Sequence, residues 1–273
     1  MNAPSFAGRL AVITGGGSGI GRSTALAFAE RGARVVVCDV NLDAARRTAE
    51  LTSLLAPACA ASDAHQVDVS DSQAMEAFAA EVGVPDILIN NAGVAHLGTF
   101  LATSEAEWRR VLDVNLWGVI HGCRAFGPAM ARRRAGGHIV NVASAAAYLP
   151  SKNLAAYSTS KAAVLMASDC LRAELARSGI RVSVICPGFV HTNITRTATF
   201  SGMAGKELDT KRDRATRHVA RRGYPPEKVA EQIVEAVRRG RPLVPITVEA
   251  RAGRLLCRFA PALTRAAARL SLG

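Results

Sequence analysis

Short apolar runs rich in Val and Ile alternate with longer Ala-rich stretches along most of the chain. The runs at Leu10–Thr14, Arg34–Asp39, His65–Val67, Asp86–Asn90, His138–Val142, Arg181–Ile185 and Leu243–Ile246 predict strands. The stretches Ile20–Arg31, Leu42–Leu55, Ser72–Val82, Ser104–Arg133 and Ala155–Arg177 predict helices. Strands this continuously apolar are buried on both faces, and regular strand–helix alternation is the pattern of a parallel sheet covered by helices. Right-handed crossovers then give an α/β, doubly wound, Rossmann-like sandwich with a seven-stranded parallel sheet. The rhythm breaks once, at 191–222, a polar, Thr- and Arg-rich segment after the sixth strand.

At 273 residues, 49% hydrophobic and 5% aromatic, the composition suits one large α/β domain with an aliphatic core. No apolar run reaches the roughly 18 residues of a membrane span, and the residues before the first strand carry no signal-peptide pattern. A cytoplasmic location is the resulting expectation. The six cysteines are scattered without a C-x-x-C pair, so neither a disulfide framework nor a zinc site is expected. The six histidines show no metal-ligand spacing and are assigned to surface or core; no metal is expected. The net charge of +12 is uneven: residues 206–273 hold 16 Lys and Arg against 7 Asp and Glu. Such a basic region suits nucleic acid, anionic lipid or an acidic substrate, or simply an Arg-rich solvated surface. Interleaved aromatics for base stacking are missing, which argues against nucleic acid.

Candidate chemistry sits at three places. The first strand runs into Gly15-Gly-Gly-Ser18-Gly19-Ile20-Gly21 and then a helix. Glycines there permit a tight turn whose N–H groups can approach a pyrophosphate at the helix N-terminus. Asp39 ends the second strand, where a carboxylate accepts hydrogen bonds from a ribose and repels a 2′-phosphate. Neither Ser18 nor Val40 is basic, so NAD is favoured over NADP; Asp39 also suits a turn cap before Asn41. Third, Tyr157 and Lys161 stand four positions apart, a turn apart on one helix face. A neighbouring ammonium lowers a phenol's pKa towards useful proton-transfer range. A lone Tyr-x-x-x-Lys also occurs by chance on helix faces.

Taken in order, Thr14-Gly-x-x-x-Gly19-x-Gly21, Asp68-Val69, Asn90-Asn91-Ala92-Gly93, Asn115, Ser144, Tyr157-x-x-x-Lys161 and Pro187-Gly188 with Thr192 resemble the short-chain dehydrogenase/reductase family. The resemblance runs from Leu10 to Thr192 and continues weakly to Thr247. It implies that Tyr157 is the general acid/base, that Lys161 lowers its pKa and binds the nicotinamide ribose, and that Ser144 donates a hydrogen bond to the reacting oxygen. It implies that Asn115 holds, through its main chain, a water linking Lys161 to solvent. Asp68 and Val69 would frame the adenine, and Asn91 would line the cofactor cleft. Pro187, Gly188, Val190 and Thr192 would hold the nicotinamide end. The helices holding Trp108–Arg132 and Ala155–Arg177 would form the faces of a homodimer or homotetramer.

The expected function is that of an NAD-dependent oxidoreductase interconverting a secondary alcohol and a ketone. Leu149, Leu154, Phe189, Phe200 and Met203 favour an apolar substrate, lipid-like, acyl or steroid-like. The basic 191–222 segment, read as a substrate lid, suits a carboxylate, phosphate or coenzyme A moiety instead. The alternatives are a catalytically silent nucleotide-binding scaffold or sensor and an NADP-dependent ketoreductase. The expected division is a catalytic domain over 1–247 and a basic amphipathic tail over 248–273. In that tail Arg251, Arg254, Arg258, Arg265 and Arg269 cluster beside Leu255, Leu256, Phe259, Leu263 and Leu270, and Pro261 breaks the helix. Two readings stand: an apolar stripe packed on the sheet or another subunit, or an interfacial helix on an anionic membrane.

Overall fold

The computed structural model describes residues 6–55, 62–202, 207, 209–213, 217 and 223–268. Expectations on Cys59, Met203, His218, Arg269, Leu270 and parts of 191–222 lie outside the described residues. In chain order the elements are β1 (Leu10–Thr14), α1 (Gly19–Ala29), β2 (Arg34–Asp39), α2 (Leu42–Leu55), β3 (Asp63–Gln66), α3 (Ser72–Val82), β4 (Ile87–Asn90) and β5 (His96–Leu97). Next come α4 (Glu105–Leu112), α5 (Gly118–Arg133), β6 (Gly137–Val142), α6 (Ala155–Leu175), β7 (Ile180–Cys186) and β8 (Thr199–Phe200). The chain continues through α7 (Pro226–Arg239), β9 (Leu243–Pro245), α8 (Val248–Phe259) and α9 (Pro261–Ala267).

Seven strands form one parallel sheet in the order β3-β2-β1-β4-β6-β7-β9. Side chains alternate across it, because successive strand residues point to opposite faces. Ile13, Val35 and Val37 pack with Phe28 of α1 and with Val229, Ile233 and Val237 of α7 on one face. Val12, Val36, Leu88 and Ile139 pack with Met75 and Phe78 of α3 and Phe126 and Met130 of α5 on the other. Each such buried side chain contributes about 1.5–3 kcal/mol, so covering both faces is what makes continuous apolar strands worth forming. The order reverses beside β1, between β1 and β4, and in parallel sheets ligands bind outside the carboxyl ends of the strands at such a point.

The structure departs from the sequence pattern in several places: α7 was not among the expected helices, and β3 spans Asp63–Gln66 where His65–Val67 was expected. The single helix expected over Ser104–Arg133 is two helices joined by one wide turn, Asp113–Trp117, in which the Gly118 N–H donates to the Asp113 carbonyl. Such an i to i+5 turn leaves the sequence periodicity almost unchanged. The start of α4 is fixed by a capping box, Ser104 with Glu107. The small parallel pair β5·β8, with His96 opposite Thr199 and Leu97 opposite Phe200, was not expected. Two-residue strands carry no readable alternation.

Candidate active site

β1 ends at Thr14 and α1 begins at Gly19, so the glycine-rich turn lies at the carboxyl edge of the sheet. A Cβ on Gly21 would run into the Gly15 carbonyl oxygen, so the turn closes only with glycine there. Asn91 braces it: the amide donates to the Thr14 and Gly15 carbonyls at 3.0 Å each. The Thr14 hydroxyl accepts from the Asn91 and Ala92 N–H groups at 3.0 and 3.2 Å. Ser18 precedes the helix in extended conformation without a side-chain cap, and no acid stands in the first turn. An uncapped, acid-free helix N-terminus is a ready anion site, so the residues present fit a dinucleotide pyrophosphate.

Asp39 faces this turn. Its carboxylate accepts from the Gly17 N–H at 2.9 Å and the Asn41 N–H at 3.0 Å, so it caps the turn at the place expected of a ribose acceptor. After β3, Asp68 accepts from the Ser70 N–H and hydroxyl at 2.9 and 2.7 Å. Val69 is buried, and its carbonyl is held by the His121 ring at 2.9 Å.

The proton-handling residues converge beyond β6. Ser144 follows the strand; its hydroxyl donates to the Pro187 carbonyl at 3.5 Å, accepts from the Ala146 N–H at 3.2 Å and acts on the phenol of Tyr157 in α6. Lys161, one turn on, is 3% exposed; its Nζ donates to the Val142 carbonyl at 3.0 Å and lies 5.9 Å from the centre of the Tyr157 ring. A Cβ on Gly93 would sit 3.5 Å from that Nζ, and Gly93 is two residues from Asn91, which braces the cradle. The buried Asn115 lies in the wide turn. Its Nδ2 donates to the Val94 carbonyl at 3.0 Å and to Ser160 Oγ at 3.2 Å, and its Oδ1 accepts from the Val94 N–H at 2.8 Å. Its side chain therefore ties the loop after β4 to α6.

Electrostatics differ from the sequence expectation. Burial dominates at Tyr157 and pushes the phenol up, while the Ser144 hydroxyl pulls it down; Lys161 does not set the balance. The Lys161 ammonium is itself lowered to about 8 by burial, against a small opposing effect of Cys186.

Pro187 and Gly188 follow β7. A Cβ on Gly188 would strike the Glu249 carboxylate and the Thr247 hydroxyl, so glycine here lets the base of α8 seat against the loop. The Phe189 N–H donates to Glu249 Oε1 at 3.1 Å. Val190 is buried and bridges to Tyr224, and Thr192 lies over Gly19 of the cradle. Leu97 pairs with Phe200, so these two apolar side chains share one face of the short sheet, and Gly98 bridges to Leu154.

The short chain dehydrogenase family model matches residues 9–200. This chain belongs to the short-chain dehydrogenase/reductase family. "Probable oxidoreductase EphD" of Mycobacterium tuberculosis is 46% identical over 271 residues, covering 97% of this chain and 45% of EphD. The chain thus spans less than half the length of that relative. A Burkholderia phymatum short-chain dehydrogenase/reductase in complex with NAD has a TM-score of 0.81 at 30% identity, covering 96% of both chains. A metagenomic short-chain oxidoreductase in complex with NADP has a TM-score of 0.69 at 28% identity, covering 88% of this chain and 96% of that one. Nicotinamide dinucleotides of both kinds therefore bind to this fold.

Three residues of this short-chain dehydrogenase/reductase family member were not singled out in its sequence. Arg22 donates to the Gly17 carbonyl and, at 3.1 Å, to Thr48 Oγ1. It is a cation at the rim that neither Ser18 nor Val40 supplies, and only its position after Gly21 could have signalled it. His96, assigned to surface or core, is buried. Its ring nitrogens meet Thr199 Oγ1 and Ser201 Oγ at 2.9 Å each, and Ser201 Oγ reaches Glu107 at 3.4 Å. Burial lowers its pKa, Glu107 opposing and Arg110 assisting. Glu249 is the third. The contacts of His96 and Glu249 span 60 to 105 positions along the chain and leave no local pattern.

Proposed function

We propose that the chain is an NAD-dependent oxidoreductase interconverting a secondary alcohol and a ketone, with an apolar substrate. The observation that carries this reading is the meeting of Tyr157, Ser144 and Lys161 one loop away from the anion-ready turn. A nicotinamide dinucleotide, when bound, supplies or accepts the hydride. Gly15, Ser18, Gly19, Ile20 and Gly21 would cradle its pyrophosphate, Asp39 would hold its adenosine ribose, Asp68 and Val69 would frame the adenine, and Asn91 would line the cofactor cleft. Pro187, Gly188, Val190 and Thr192 would flank the nicotinamide, and Lys161 its ribose.

Tyr157 moves the proton at the substrate oxygen. A phenol kept protonated by burial is ready to give its proton to a ketone oxygen, while Ser144 donates a hydrogen bond to the same oxygen and steadies the charge developing there. In the opposite direction the phenol must first lose its proton. The Ser144 hydroxyl favours that loss, and a water held by the Asn115 main chain and linked to Lys161 would carry the proton out. The oxidative rate is therefore expected to rise with pH.

The Leu97–Phe200 pair, with Leu149, Leu154 and Phe189, supports an apolar substrate. A cavity lined by Arg196, Arg212 and Arg217 with Asp209 and Asp213 favours a second reading, in which the substrate also carries an anionic group. The 191–222 segment would act as lid within a catalytic domain over 1–247, and 248–273 as a separate tail. Half-exposed Trp117, at the start of α5, and exposed Met166, on α6, support a homodimer or homotetramer through those helices. The expected setting is cytoplasmic, peripheral to a membrane; no described helix is long and apolar enough to cross one.

Purified protein assayed for reduced-nicotinamide absorbance with a panel of alcohols and ketones tests the activity; no turnover with either cofactor would leave the silent scaffold standing. Asp39→Ala is expected to shift the NADP-to-NAD ratio of kcat/KM at least about tenfold towards NADP, by removing a like charge from the 2′-phosphate. Wild-type preference for NADP would overturn the role given to Asp39 and turn attention to Arg22. His96→Ala is expected to raise the substrate KM about tenfold with little change in cofactor affinity, because it unfastens Thr199 and Ser201 at the start of the lid. An unchanged KM would show that the lid is held by other contacts.

A further inference from the structure

The two C-terminal helices are amphipathic in the reverse sense to the rest of the fold. The side of α8 that packs on the body is made of small residues: Ala250 and Gly253 are buried, and Gly253 rests against Leu149. The large apolar side chains point outward, with Val248 79%, Leu255 58%, Phe259 74% and Leu263 62% exposed. The stripe therefore does not pack on the sheet, which leaves another subunit or a membrane as its cover. At 100° per residue Val248, Leu255, Leu256 and Phe259 share one face, and Arg251, Arg254 and Arg258 line its flank. The Arg258 guanidinium lies 5.5 Å from the Phe259 ring centre, pairing a cation with an apolar anchor.

We propose that α8 and α9 form a docking face for an anionic phospholipid surface, set at the mouth of the candidate active site. Charge chooses the occupant. From Ala250 to Gly273 the chain has five arginines and no acidic residue. A two-fold contact with a second copy sets the same patch against itself. Arginines would then meet arginines with no carboxylate between them, which is unfavourable. A bilayer with anionic headgroups offers negative charge at the level of the arginines and an apolar layer for Leu255, Phe259 and Leu263.

Position gives the docking its use. Glu249 at the first turn of α8 accepts from the Phe189 N–H, Gly188 lies beneath it, and Gly253 sits on Leu149. The helix on the membrane is thus seated on the two loops, 144–149 and 187–190, that flank Ser144 and Tyr157. This consequence rests on the proposed apolar substrate. The binding itself does not.

The test uses full-length protein and vesicles of phosphatidylcholine with and without phosphatidylglycerol, read by co-sedimentation. Wild type is expected on the anionic vesicles alone, with binding that weakens as salt rises. Each of Arg251→Gln, Arg258→Gln and Arg265→Gln should lower partitioning about fivefold at low salt. The triple variant L255S/F259S/L263S should lose about 100-fold or more, while turnover of a short soluble alcohol stays within about twofold of wild type. Equal sedimentation of wild type and triple variant overturns the proposal. So does wild type that ignores anionic vesicles while the triple variant alone falls to a smaller species in sedimentation velocity, which makes the face a subunit interface. Vesicle binding without any alcohol turnover would sustain the docking face and refute the proposed activity.

Discussion

Tyr157→Phe is expected to lower kcat about 10²–10⁴-fold in both directions, the range that general acid–base groups contribute, while the dissociation constant for NAD changes less than about threefold. The substitution removes one oxygen atom and leaves the ring packed beside Lys161. The loss therefore falls on proton transfer and not on the shape of the cleft. The two directions report different protonation states. Burial holds the phenol in its acidic form, so ketone reduction should be flat through neutral pH and decline in alkali, whereas alcohol oxidation should climb. A Tyr157→Phe variant as fast as wild type would show that another group handles the proton.

Lys161→Met is the second large expectation, and its two readouts move in opposite directions. Activity should fall at least about 10²-fold, because the variant loses the cation beside Tyr157. Stability should rise. Lys161 is nearly fully buried, and its ammonium is lowered from 10.5 to about 8, so the charged form is penalised in the folded state. Below about pH 8 both folded and unfolded chains carry the proton, and the full penalty applies. Between about 8 and 10.5 the unfolded chain binds more protons than the folded one, so stability increases with pH. A methionine of similar length removes that dependence and should raise stability at pH 7 by about 1–3 kcal/mol, less the hydrogen bond to the Val142 carbonyl. Denaturant unfolding of both proteins at about pH 7 and about pH 10 measures it. A variant less stable than wild type at neutral pH, with the same slope in alkali, would mean that the lysine is held in the core at no cost.

The charge logic of the site is therefore not the one the Tyr157–Lys161 spacing suggests. Spacing places the two side chains one turn apart, and they are. It says nothing of solvent. Exclusion of water raises the phenol and lowers the ammonium together, and the hydrogen bond that offsets this for Tyr157 comes from Ser144, on another element.

Much of the fold was legible from local pattern. Apolar runs that fill both faces of a strand, separated by amphipathic stretches, define the strands, the helices and the parallel sheet, and the glycine-rich turn announces itself between the first strand and helix. Burial is periodic wherever an element is long, and a period can be read. The wide turn at Asn115 escaped because one extra residue per turn barely alters the spacing. The β5·β8 pair escaped because two residues make no period.

What the sequence by itself determined was the order of the elements, the layered architecture and which residue types stand at the carboxyl ends of the strands. Tertiary structure alone decided that Arg22 lies on the Gly17 carbonyl, that His96 holds Thr199 and Ser201, that Glu249 reaches the loop after β7, and that the apolar stripe of α8 faces outward. A period specifies which residues share a face but not which way the face turns, since that depends on what the rest of the chain has already covered.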